Sequence, residues 1–160
     1  MNPIPYLRRI LLRDIDTLRR EVELYPDDES VWREVPGLPN PGGTLIHHLA
    51  GNLRHYIGAL LGHSGYVRDR PAEFSVRGTS RQELLRLVAA AHDEVDGALT
   101  RLDPAILEDP YPEPMRGEHY PVHLFLLQLA VHLTFHTGQL DYHRRVVTGD
   151  SASAGAVGVM

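Results

Sequence analysis

His132-Leu-Thr-Phe-His136-Thr-Gly-Gln139 stands inside an apolar segment, residues 122–147, that no proline interrupts. With no breaker and no strand alternation, the segment reads as one long helix. Each helical residue turns by about 100°, so two histidines four apart point the same way, one turn from each other. Phe125, Leu129, His132, His136, Leu140 and His143 fall in one narrow sector. That sector is the one that packs inward. A buried neutral imidazole needs partners for both ring nitrogens, and two side by side are costly unless they bind something. A metal ion is the simplest occupant. The competing reading is a pair of hydrogen-bonded core residues drawn from the ten histidines of the chain.

Three more helices come into view on moving outward. The first covers Ile4 to Leu24, where Leu7, Leu11, Ile15, Leu18 and Val22 recur at steps of three and four. The second follows Asn40-Pro-Gly-Gly-Thr44, with Thr44 as the expected N-cap, and runs to about Leu61 before Gly62. The third begins at Ser80-Arg-Gln-Glu83, which has capping-box spacing, and stops at Asp103-Pro104. Gly149 ends the fourth. Four prolines between Pro26 and Gly43, and five between Pro104 and Pro121, mark long loops. Four amphipathic helices joined in this way predict an all-α four-helix bundle with crossover loops. Residues 1–149 read as a single domain, and residues 150–160 as a flexible tail of small residues.

Composition narrows the chemistry. The chain has no cysteine, which excludes cysteine nucleophiles, iron–sulfur clusters and disulfide frameworks. All sixteen basic residues are arginine, so no side-chain amine is available for Schiff-base chemistry. The net charge of −5 with scattered arginines argues against a nucleic-acid partner. No apolar run reaches the roughly 20 residues of a membrane span, and the first residues show no signal pattern. A cytoplasmic protein acting on a small molecule is the expectation. A serine hydrolase fits poorly, because Gly62-His-Ser-Gly65 lacks both the G-x-S-x-G elbow and the strand before it.

A functional metal site usually has three protein ligands and an open position. His47, His48, His55 and His63 around the second helix, and His92 on the third, are candidates for the third ligand; Asp141 and Glu118 are weaker. His47 and His48 flank the apolar stripe on opposite sides. His48 shares its edge with Asn52 and His55, which favours it, but spacing alone does not choose. His119 and His123 straddle Pro121 at a helix start and read as loop residues.

Pro41-Gly-Gly-Thr-Leu-Ile-His-His48-Leu-Ala-Gly-Asn52-Leu, about eighty residues ahead of His132-x3-His136-x-Gly138-Gln139, resembles the DinB-like superfamily, also called DinB/YfiT. The resemblance implies a four-helix bundle with a three-histidine metal site. Its first ligand precedes Leu-Ala on the second helix, which selects His48 beside His132 and His136, with His47 as the alternative. It also implies a divalent ion (zinc first, nickel or iron otherwise), a low-molecular-weight thiol as cosubstrate in some members, and homodimers. The second apolar face of the last helix (Leu124, Leu127, Val131, Phe135) independently fits a homodimer.

Two functions follow as expectations. One is a metal-dependent transferase or hydrolase that activates a thiol or a water. The other is a non-catalytic metal-binding or stress-response interaction protein. No catalytic residue is assigned. Asn52 and Gln139 are expected as outer partners or substrate contacts, and His55 as the best candidate for a general base.

Overall fold

The structure is a computed structural model and describes residues 2–155. Its elements are α1 (Ile4–Leu24), α2 (Asp28–Val31), α3 (Gly42–Leu53), α4 (Arg70–Ser75), α5 (Arg81–Arg101) and α6 (Val122–Thr148). A π-helical turn, Arg54–Ala59, continues α3, and a 3-10 turn, Pro104–Glu108, follows α5. Among the described residues there are only isolated β-bridges and no strand ladder. Among the described residues, no helix is long and apolar enough to cross a membrane.

The four long elements form the expected bundle, and its order explains the loops. The helix α1 packs on α5 and α6, while α3 packs on α5 and α6 from the other side. Going round the bundle, the order is therefore α1, α5, α3, α6. Consecutive long helices α1 and α3 lie diagonally, as do α5 and α6. The two proline-rich segments make those diagonal crossovers. The stripe Leu7, Leu11, Ile15, Leu18 and Val22 is buried as its spacing predicts.

Helix ends follow local chemistry. Ser80 accepts from the Glu83 amide at 3.2 Å, and Gly149 closes α6 at φ 71°, a left-handed conformation that glycine adopts without strain. Helix α3 departs from expectation at both ends. It starts at Gly42 after Pro41, and Thr44 is a buried first-turn residue rather than the cap. At the other end the π turn carries Leu60 N–H to the His55 carbonyl and Gly62 N–H to the Ile57 carbonyl. Two short helices fall in stretches read as loop. Asp27 caps α2 through the Ser30 amide, and Asp69 caps α4 through the Ala72 amide.

Residues 150–155 lie along α1 and α6. Arg144 donates to the carbonyls of Asp150 and Ala152, Arg145 to that of Ser151, and Arg20 to that of Ala154. Arg144 is itself fully buried and paired with Glu21 at 2.5 Å. The rest of the tail, 156–160, lies outside the described residues.

His143 shares the helical phase of His132 and His136, yet it is a structural residue. The Tyr25 hydroxyl donates to its Nδ1 at 2.7 Å, and its Nε2–H donates to the Arg33 carbonyl at 2.8 Å. That pair of bonds requires the neutral ring. Burial holds the imidazole below its ordinary pKa, against the opposing pull of the Arg33 carbonyl. A histidine depressed in the folded state takes up a proton on unfolding, so its stability is present above about pH 6.5 and is lost as pH falls. Denaturant titrations of metal-free protein between about pH 7.5 and about pH 5.5 should show stability falling with pH. In His143→Gln the slope should shrink by up to about one proton; an unchanged slope would remove His143 from this linkage.

Candidate metal centre

The packing of α3 on α6 brings together side chains 84 residues apart in sequence. His48 projects from α3 and is buried; His132 and His136 project from α6 and are half-buried. One ligand-type atom from each lies within 4.8 Å of the others. The Nε2 atoms of His48 and His132 are 3.2 Å apart. The ring centroids are 4.5–5.3 Å apart, and the planes are steeply inclined to one another. His47 turns away: its Nε2 pairs with Thr79 Oγ1 at 2.9 Å, and its ring leans on Trp32.

Outer hydrogen bonds fix how two of these rings are presented. The His48 Nδ1–H donates to Glu73 Oε2 at 3.0 Å. The His136 Nδ1–H donates to Gln139 Oε1 at 2.6 Å. With Nδ1 protonated, each neutral ring carries its lone pair on Nε2. Glu73 is held in turn by Arg68, through Nε to Oε1 at 2.6 Å and Nη2 to Oε2 at 2.8 Å. Burial alone would raise the Glu73 pKa, but the hydrogen bonds from Arg68 and His48 outweigh it and hold the carboxyl below its usual value. An ionised carboxylate therefore backs the His48 ring.

The protonation states suit a cation. Burial, reinforced by the neighbouring His136 and His48, pushes His132 down to about 4. Burial also lowers His136, against the pull of Gln139. Both are neutral near pH 7, as metal ligation demands. His132 Nδ1 is buried and has no hydrogen-bond partner, whereas its Nε2 faces His48 Nε2. Nitrogens 3.2 Å apart would subtend roughly 100° at an ion about 2.1 Å from each, an ordinary coordination angle. The donor set thus fits a divalent ion of borderline softness, such as zinc. Among the described residues the cluster holds three histidines and no carboxylate. Glu73 is engaged with His48 Nδ1 and Arg68 instead.

The remaining candidates separate cleanly. Asn52, one turn beyond His48, is buried, and its Oδ1 has no partner. His55 sits in the π turn, with Nε2 3.1 Å from Glu113 Oε1 and its ring against Tyr56; none of its recorded contacts is with the three histidines. His119 and His123 use Nδ1 on the carbonyls of Tyr111 and Leu107, which ties the second crossover loop to α6. Sequence reasoning missed Glu73 and Arg68. Asp69-Arg-Pro-Ala-Glu73 carries the signal of a capped helix start, and would have placed Glu73 in a first turn. Gly51 allows the approach, since a Cβ there would stand 2.9 Å from the Glu73 Cδ.

Gln139 is exposed, so its removal tests the outer bond without disturbing the core. Gln139→Ala should weaken metal binding by about 10- to 100-fold in a chelator competition and leave the melting temperature of metal-free protein unchanged. Gln139→Glu, which retains an acceptor, should recover most of the affinity. Equal affinities in all three proteins would contradict the orienting role.

A family model described as the DinB superfamily matches residues 10–140. None of the curated proteins compared with the chain matches it. The matched span contains His48, His132 and His136 together with Glu73 and Gln139, and the chain belongs to the DinB superfamily.

Proposed function

We propose that this protein is a metal-dependent enzyme in which His48, His132 and His136 hold one divalent ion, zinc first, with nickel and iron as alternatives. The observation that carries this reading is the presentation of the rings. Two of the three have Nδ1–H anchored on an outer acceptor, and all three offer nitrogens to one small volume. An ion held by three neutral imidazoles keeps its positive charge and lowers the pKa of a bound water or thiol, supplying a nucleophile near neutral pH.

The chain's own groups do the positioning. Glu73 and Arg68 fix the His48 ring, and Gln139 fixes His136. The unpaired Asn52 Oδ1 is suited to accept a hydrogen bond from a substrate or thiol lying along the α3–α6 seam. The reaction class is transfer to a low-molecular-weight thiol, or hydrolysis, of a small electrophilic substrate in the cytoplasm. Three protein ligands rather than four support this over a purely structural ion. The exposed apolar residues Leu124, Leu127, Val131 and Phe135 on α6 support a homodimer, because such a stripe is normally covered.

His48→Ala, His132→Ala and His136→Ala should each bring bound metal from about one ion per chain to near zero, measured by elemental analysis of protein purified without a nickel column. Full occupancy in any one variant takes that residue out of the site. Screening thiols against electrophiles with the loaded wild type should give turnover that the three variants lack.

A further inference from the structure

A cavity of about 410 Å³ lies between the first crossover loop and α6, one helical turn from His48 and His136. Leu45 in its wall is three residues before His48 on α3. Gln139 in its wall is three residues after His136 on α6 and accepts that histidine's Nδ1–H. Each interval is about 5 Å along a helix axis. Leu38, Pro39, Asn40, Gly138, Tyr142 and His143 complete the lining, which exposes mainly apolar surface and holds no carboxylate or guanidinium.

We infer that this cavity is the subsite for an uncharged apolar portion of the substrate, an aryl or short alkyl group, whose reactive end reaches the histidine cluster past Gln139. The role as a substrate subsite rests on the metal reading above; the binding of an apolar group does not. Volume supports it: an apolar void of about 150 Å³ accepts benzene, so this one has room for a fused or substituted ring. The lining supports it too, since ligand sites combine apolar walls with a few placed polar groups. With the Gln139 oxygen taken by His136, its amide nitrogen is a donor at the boundary between cavity and cluster.

Gly138 adds an independent observation. It stands in the interior of α6, where glycine costs about 1 kcal/mol relative to alanine. A Cβ there would meet nothing within 4 Å, so packing within the chain does not require glycine. It lines the cavity, and any larger side chain would narrow it.

The test uses full-length protein, with and without zinc, and the uncharged fluorophore N-phenyl-1-naphthylamine. Saturable binding of one probe per chain is expected in both forms. Amide NMR shifts should centre on Leu45, Gly138 and Gln139. Gly138→Leu should weaken the probe at least about tenfold, while zinc stoichiometry stays at the wild-type value and the melting temperature stays at or somewhat above it, since a helix-interior glycine is removed. Absence of saturable binding, equal affinity in Gly138→Leu, or shifts confined to another face would overturn the subsite. So would binding that appears only when a dimer is diluted to monomers, because a second copy would then be the occupant. Absence of saturable probe binding in wild-type protein that holds one zinc per chain rejects the subsite and spares the metal reading; probe binding by wild-type protein that retains no zinc does the reverse.

Discussion

Three imidazoles meeting inside the α3–α6 seam set the terms for the structure around them. Burial and the neighbouring imidazoles disfavour a proton on His132 and His136. Direction is a separate requirement. Glu73 and Gln139 supply it by accepting the Nδ1–H of His48 and His136, which leaves the Nε2 lone pairs toward the cluster. Neither condition suffices alone: neutral rings with free orientation could turn their lone pairs to solvent.

The bundle order serves this seam. Because α1 and α3 lie diagonally, the chain must cross between them. The crossing segment brings Tyr25 and the Arg33 carbonyl onto His143, and Leu38 and Pro39 onto the cavity beside Gln139. The α3–α5 connection folds back as α4, which delivers Glu73 against Gly51 and places Phe74 with its ring 5.0 Å from His48. Helices present the three histidines; the α3–α5 connection orients His48 through Glu73, and Gln139 on α6 itself orients His136. That division suits a family fold in which loops can vary while the ligand scaffold stays rigid.

The long helices were legible because each writes its period, cap and stop locally. Ile4–Leu24 and Val122–Thr148 appear in the structure almost as spaced, and Ser80 and Gly149 act as their residue types suggest. His132 and His136 were legible as an inward pair for the same reason. The helical wheel alone cannot separate them from His143, which lies in the same sector. That distinction depends on Tyr25 and the Arg33 carbonyl, which arrive from the first crossover. The choice of His48 over His47 needed the family pattern, since both flank the same stripe. Glu73 and Arg68 were hidden because their role depends on where a short helix folds back, a tertiary fact with no period to reveal it. Thr44 misled because Pro41 already supplies a helix start three residues earlier.

The proposed centre is a three-imidazole ion with room for an exogenous ligand. X-ray absorption at the metal edge, on untagged full-length protein loaded with zinc, tests it most directly. Outer-shell scattering from three imidazoles is expected, with the remaining positions filled by light atoms that exchange when a thiol is added and give way to a zinc–sulfur distance of about 2.3 Å. A first shell saturated by four protein ligands and unchanged by thiol, or one with fewer than three imidazoles, would contradict it.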